Sequence, residues 1–579
     1  MSALASRVRP VWLLVLLGVL LAACTNSPPP PLVNSPVAST QPSQPADPTQ
    51  VVVGVDSVAG GYNPHLLANQ TTVARTLGEL VLPSVFRSAP DGTPQLDQTL
   101  MNSAEVTSAE PYTVTYTIRK DAAWGDGPPI AAEDFAYLWD NMRSQPGVAD
   151  ASGYKLITSV SGRDGGRTVE VVFSKPYPGW RTLFHDLLPS HVLKDAPGGW
   201  AAALTETFPA AGGPFSIKRL DPERGEIILQ RNDRYWGPST KLQQIILRKA
   251  DPSGLVKALT GGDDQLGLFP ATKSTSDALA GGNHTLAVST VPNPVLVQLL
   301  LRPSTPLMAN PKIRAAVAAA FDRDSLISLG TGGGPAGQLR ADSLVLAPSR
   351  PGFVPTIPGG GSPAKPDPAK VEQSLTEAGY AKTGGAWLRD GQPLNLVIGV
   401  PGDREPYSGL ARLVQQQLTA AGIGSRVLNT NGDQLFSKVI TATPTPTSTT
   451  NAAATGDSDS LVDIVIAPQP VSGDPATDLA SAFGCRTGLP DGTSSPANAA
   501  GFCDRELQPA IEAALTGAMP LSDALATIEP ALWKQNIAIP LFQLADVLAV
   551  RPELSGVSVG PPLVGPFAGA PEWQRSVRR

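Results

Sequence analysis

Between Leu394 and Thr430 the chain alternates element types in an order that few folds accommodate. "LNLVIGV" (394–400) is an apolar run of strand length, "GLARLVQQQLTAAGI" (409–423) has apolar residues at helical spacing, and "SRVLNT" (425–430) reads as a strand again. Strand, helix and strand in that order make a βαβ-like unit, which favours a mixed or parallel sheet and an α/β class. "QVVVGVD" (50–56) and "LVDIVIAP" (461–468) add buried strands. "TVTYTIRK" (113–120) and "RTVEVVFSKP" (167–176) are further strands, the first alternating cleanly. "AAEDFAYLWDNMRS" (131–144) predicts an amphipathic helix with an acidic first turn, and "DPAKVEQSLTEAGY" (367–380) a helix ending at Gly379. "NPKIRAAVAAAFDRDSLISL" (310–329) reads as one long helix, and "WRTLFHDLLPSHVL" (180–193) as a short helical segment broken by Pro189. At 212–237 a hairpin turned by "DPERG" ends in the crowded tail Arg231, Asn232, Asp233, Tyr235, Trp236 and Gly237.

The N-terminus specifies a destination. Arg7 and Arg9 precede "VWLLVLLGVLLAAC", an apolar run too short to span a bilayer comfortably, so residues 1–23 read as a secretory signal. Leu21-Ala22-Ala23-Cys24 resembles a bacterial lipobox, which implies lipidation at Cys24 and a membrane-anchored, extracytoplasmic protein; a plain signal peptide with an incidental Cys is the alternative. Residues 24–49 are Pro-rich without hydrophobic periodicity, hence a tether. From residue 50 onward roughly 530 residues remain, enough for more than one core. The net charge of −6, near −8 without the leader's two arginines, and the lack of a basic run argue against nucleic acid. Outside the cytoplasm Cys485 and Cys503, 18 positions apart, most simply form one disulfide; two unpaired buried thiols are the alternative. The low-complexity stretches 354–368 and 441–460 read as exposed loops.

Catalytic and metal signals are weak. The four histidines are His65, His185, His191 and His284, and no HExxH, CxxC or clustered Cys/His set occurs. "GGGPAG" (332–337) satisfies GxGxxG only formally, because Pro335 interrupts it and no βαβ entry frames it. No cofactor, metal or catalytic residue is expected.

Several blocks, in order, resemble one family: "GGYNPH" (60–65), "YTVTYTIRKDAAWGDGPPIAAEDFAYLW" (112–139), the hairpin and its "RNDRYWG" tail, "PKIRAAVAAAFDRDSLI" (311–327) and "DPAKVEQSLTEAGY". They are similar to the extracytoplasmic solute-binding proteins of family 5, the peptide- and nickel-type binding components of ABC importers. The resemblance implies a type II periplasmic-binding-protein fold, with two main lobes and an inserted third domain as in oligopeptide-binding proteins. It divides the chain into domain I (50–85, 206–310 and 546–579), an insert (86–205) and domain III (311–545), closing on ligand by a hinge. Further segments, among them "PYPGWRTLFHDLLPSHVLKDAPGGW" (176–200), "RNDRYWGP" and the late Cys485 and Cys503, are similar to an actinobacterial lipoprotein branch of the family. That branch is associated with phosphatidylinositol mannoside and lipoarabinomannan synthesis, which implies a glycolipid ligand and envelope biosynthetic enzymes as partners.

Site residues follow from the same resemblance. The ligand-facing loop falls on Ala68, Asn69 and Gln70, whose amides suit hydroxyl-rich ligands or sit in an exposed loop. Trp124 either stacks on a sugar or packs in the core. In peptide-binding members an Asp three residues before an acidic-Pro pair receives the peptide amine. Aligned on Asp474-Pro475, that position is Val471, which disfavours a zwitterionic peptide unless a nearby Asp substitutes or the alignment slips by one to three residues. Three readings result: a monomeric, non-enzymatic glycolipid-binding lipoprotein, the small-solute or peptide component of an ABC permease, and a catalyst on a binding scaffold.

Overall fold

The computed structural model describes residues 47–281, 285–359, 361–441, 461–488 and 498–576. Cys24, the leader, the tether up to Ala46, His284 and residues 442–460 lie outside the described residues. Among those described, no helix is long and apolar enough to cross a membrane.

One sheet of ten strands runs through the protein. In chain order its strands are β1 (Gln50–Val55), β2 (Phe215–Asp221), β3 (Glu226–Arg231), β4 (Gln244–Lys249), β5 (Leu266–Pro270), β6 (Ala287–Leu301), β7 (Asn395–Pro401), β8 (Gly424–Thr430), β9 (Ile464–Pro470) and β10 (Ala538–Val550). Across the sheet they lie β8-β7-β9-β6-β10-β5-β1-β4-β3-β2. β7 is parallel to β8 and β9, β1 is parallel to β4 and β5, and every other joint is antiparallel. The strand–helix–strand unit expected at 394–430 is therefore present, with helix Tyr407–Ala420 crossing between β7 and β8.

Two long strands, β6 and β10, join the parallel groups. Ala287–Pro292 pair with Val550–Ala545, then the ladder skips and resumes at Leu296 with Gln543. Outward of the first stretch β10 pairs with β5; beyond the second, β6 pairs with β9 from Val295 onward. The strands thus change company at one level, and β6 joins the second group from Val295 onward. Past the skip, Val297, Leu299 and Leu301 face one core with Val317 and Leu410, while Leu300 faces another, the alternation a strand imposes.

The skip leaves backbone groups without ladder partners, and side chains take them up. Gln543 is fully buried; its Nε2 donates to the Asn293 carbonyl at 2.8 Å and to Ser349 Oγ at 2.8 Å, and its Oε1 accepts from the Ser349 N–H at 3.0 Å. Asn293 Nδ2 and Thr72 Oγ1 both donate to Asp546 Oδ2, at 3.0 and 2.8 Å. Pro292, Pro294 and Pro540 are tolerated here because a bulge needs fewer ladder donors.

A four-stranded antiparallel sheet, in the order Met101–Ala109, Tyr112–Ile118, Thr168–Phe173, Ile157–Arg163, lies within 86–205 and carries helix Ala132–Ser144. The hairpin tail fastens this sheet to the large one. Asn232 Nδ2 donates to the Gly213 carbonyl at 2.9 Å, Arg234 Nη1 to the Gly125 carbonyl at 2.8 Å, and Trp236 Nε1 to the Thr99 carbonyl at 2.5 Å.

Two helix expectations are corrected. Residues 310–329 form two helices, Pro311–Ala319 and Arg323–Gly330, because the Asp322 side chain accepts from the Ser325 N–H and starts a new N-terminus. In 180–193 only a 3₁₀ turn, Pro178–Thr182, and the short Ser190–Leu193 are helical; Phe184 and Asp186 between them have φ of 56° and 48°. Cys485 and Cys503 are joined by a disulfide.

Replacing Gln543 by Leu strands the Asn293 carbonyl and the Ser349 N–H, and the expected loss is about 3 kcal/mol, read as an earlier urea midpoint. Removing the disulfide by the paired Cys485→Ser and Cys503→Ser changes should cost about 3 kcal/mol by chain entropy, which the same titration measures.

Candidate ligand-binding cleft

A cavity of about 400 Å³ opens beside the strand crossing. One wall comes from the Asn63-Pro64-His65 loop, helix Thr72–Val81 and segments near 150 and 181–186; the other from 349–351 and 470–477, with Pro294 between them. A hollow of about 540 Å³ near Ala315 and Thr356 lies away from this crossing and is lined mostly by loop residues.

Local chemistry sets the first wall. Asn63 Oδ1 accepts from the His65 N–H at 3.1 Å, closing the turn. His65 Nε2 faces the Asp186 carbonyl at 3.0 Å, so that nitrogen carries the proton. Burial, with His185 alongside at a ring distance of 5.0 Å, drives the His65 pKa down to about 4. His185 differs. Burial opposes its charge, but the hydrogen bond from Nδ1 to Asp186 Oδ2 at 3.0 Å and the nearby acids prevail, and its pKa rises. Glu79 is paired with Arg87 at 2.7 Å, and Arg87 also with Asp97 at 2.8 Å. Of the eight non-glycine residues with positive φ among the described residues, Asp150, Asp186 and Leu563 line this cavity. Backbone strain of that kind gathers where a surface is shaped for a ligand.

The second wall is held from behind. Arg350 Nη1 and Nη2 donate to the Ser472 and Gly473 carbonyls at 3.0 and 2.6 Å. Asp478 Oδ1 accepts from the Ser472 N–H at 2.9 Å. Burial and the charge of Asp150 push the Asp478 carboxyl well above its ordinary range, and burial raises Asp150 to about 6. The two walls meet at Tyr177 OH and Thr477 Oγ1, 2.6 Å apart, and at Ser152 N–H donating to Ser481 Oγ at 3.3 Å.

The sequence-predicted residues divide. Gln70 lines the cavity; its Nε2 donates to the Pro64 and Leu66 carbonyls at 2.9 and 3.0 Å, so only its oxygen is free to accept. Val471 also lines it, as an apolar surface packed with Leu296, Ala341 and Ala347. Asn69 is not on the wall: it is buried under Gly61, where a Cβ would come within 2.6 Å of its Oδ1. Trp124 is in the core, its Nε1 donating to Asp134 Oδ2 at 3.1 Å, where the carboxylate also accepts from Ala131 and Ser190. The condition attached to Val471 is not met, since Asp150 supplies a carboxylate to the same cavity. Arg75, Asp150, His185 and Arg350 were not singled out from sequence; they sit on four separate segments, and no local pattern links them.

The matching profile is that of the bacterial extracellular solute-binding proteins, family 5, over residues 96–470. The chain belongs to this family. It is 33% identical, across 97% of both chains, to the probable monoacyl phosphatidylinositol tetramannoside-binding protein LpqW of Mycobacterium tuberculosis. It is 26% identical to the oligopeptide-binding protein OppA of Mycobacterium bovis, over 85% of this chain and 79% of that one. Among solved structures, the oligopeptide-binding protein AppA of Bacillus subtilis, in complex with a nonapeptide, superposes with a TM-score of 0.68 at 18% identity, covering 92% of this chain and 100% of its own. As a family 5 protein, the chain has the type II periplasmic-binding-protein fold implied by its sequence blocks, and the cavity lies at the crossing that joins the two strand groups. Its relatives are binding proteins, and this is an extracytoplasmic solute-binding protein.

The two histidines should titrate apart in an imidazole NMR experiment: His65 neutral until about pH 4, His185 protonated above its ordinary 6.5. Since the unfolded chain accepts at His65 a proton that the fold refuses, this site loses stability as pH falls from 6.5 toward 4. Asp150 works the other way, stabilising the fold fully below 3.8 and losing that contribution as pH rises through about 6.

Proposed function

We propose that this protein is a membrane-anchored lipoprotein whose cleft binds the mannosylated inositol headgroup of a phosphatidylinositol mannoside, serving envelope glycolipid synthesis as a binding or regulatory component. The observation that carries this reading is the likeness to LpqW, which extends through 97% of both chains rather than one block. The site supports it chemically. A 400 Å³ cavity is in the size range of small-molecule pockets. Its wall offers an acceptor at Gln70, an imidazole at His185 and a carboxyl at Asp150, groups that suit hydroxyl-rich ligands. In this reading segments 50–85, 206–310 and 546–579 form one lobe, 86–205 the insert and 311–545 the other lobe. Ligand favours the closed arrangement through bonds to both walls, and the protein, a monomer, releases what it bound unchanged. Cys24 carries the anchor, and envelope biosynthetic enzymes are the partners.

A second reading, the peptide-binding component of an ABC permease, draws on Asp150, which can receive an ammonium although position 471 cannot. The two separate in a thermal-shift assay. A deacylated phosphatidylinositol mannoside should raise the melting temperature by several degrees and tripeptides should leave it unchanged; the reverse pattern overturns the glycolipid reading. Substituting Cys24 by Ser should move the protein from the membrane fraction to the medium, as cell fractionation reads directly.

A further inference from the structure

Arg75 lines the cleft, yet no carboxylate oxygen among the described residues lies within 4.0 Å of its guanidinium. The other wall arginines differ: Arg87 is paired twice, Arg350 is spent on two carbonyls, and Arg181 lies over the Trp180 ring. Arg75 Nη2 donates to Thr72 Oγ1 at 3.2 Å, one use of a group with five N–H donors. Asp546 acts on it by charge but not by contact, its Oδ2 being taken by Thr72 and Asn293. Burial works against the positive charge and brings the pKa down to about 10. Helix stability does not explain the placement either: Arg75 is the fourth residue of Thr72–Val81, near the positive end of the helix dipole, where a cation is disfavoured. A half-buried guanidinium that lines the cavity and spends one donor on Thr72 leaves its remaining N–H groups open to an anion, which would meet them with charge-assisted bonds.

We propose that Arg75 is the anion seat of the cleft and takes the phosphodiester of the bound headgroup through paired N–H···O bonds, while Gln70 and His185 meet its hydroxyls. The phosphate rests on the glycolipid reading; the seat itself does not. Two bonds to a non-bridging phosphate oxygen pair would fix the headgroup beside Pro294, where the strands cross.

The test uses the full chain in detergent, calorimetric titration and two probes: a glycerophosphoinositol mannoside, and the mannosyl inositol lacking phosphate. The wild type should bind the phosphorylated probe at least tenfold more tightly. Arg75→Gln should erase that preference and leave the neutral probe's affinity within twofold, with no drop in melting temperature, since no ion pair is broken. Arg75→Lys should keep part of it. Equal binding of both probes by the wild type, or a variant that weakens both alike or melts earlier, overturns the seat. If neither probe binds the wild type, the glycolipid reading fails, and millimolar inorganic phosphate decides the seat: an Arg75-dependent rise in melting temperature upholds it, and none overturns it. A preference for free over amidated tripeptides that vanishes in Arg75→Gln would place a carboxylate there and overturn the phosphate assignment.

Discussion

The amide of Gln543 binds together the backbone where β6 and β10 change partners. It accepts from the Ser349 N–H and donates to the Asn293 carbonyl and the Ser349 hydroxyl, linking the 349 segment to the strand break from a fully buried side chain. Asp546 extends the set to helix Thr72–Val81 through Thr72. Here the two strands that join the strand groups break register between Pro292 and Leu296. A buried polar residue at the break lets them do so without orphaned donors. A joint made of two strands and a few hydrogen bonds is also the kind of place where a small φ/ψ change swings one wall against the other.

The cleft depends on that joint, since Ser349 and Arg350 follow from one side of it and Arg75 from the other. Its electrostatics are uneven. Within the first wall Arg87 pairs with Glu79 and Asp97, and His185 with Asp186, so these groups are partnered locally. Asp150 and Arg75 are left over, one carboxyl and one guanidinium on the same cavity. Asp150 is eased by holding its proton up to about pH 6, a recourse a guanidinium does not have at neutral pH. The contrast between the spent and the idle groups sets Asp150 and Arg75 apart from the rest of the wall.

Much of the architecture could be read from local pattern. The βαβ unit, the alternating strands of the insert, the helix Ala132–Ser144 and the family blocks all rest on periodicities or motifs that local chemistry enforces. The tail after β3 shows the limit of such reading: its residue types were conspicuous, but their reason is the bonds of Arg234 and Trp236 to Gly125 and Thr99, more than a hundred positions away. The same limit explains the helix at 310–329, where an Asp that looks like surface charge is a cap, and the segment 180–193, whose helical spacing yields to left-handed residues at the cavity wall. Trp124 looked equally apt for a sugar or a core, and only the position of Asp134 chose the core.

By itself the sequence determined the class of fold, the family, an exported chain with a Cys at a lipobox-like site, and a pair of thiols free to join. Each of these is written in neighbouring residues, because hydrophobic period, turn chemistry and export signals act over a few positions. Tertiary structure alone decided which side chains share the cavity, that Asp150 lines it together with Val471, and that Arg75 has no carboxylate partner among the described residues. Those are properties of distance between segments far apart in the chain, and burial and charge balance have no meaning until the segments are brought together.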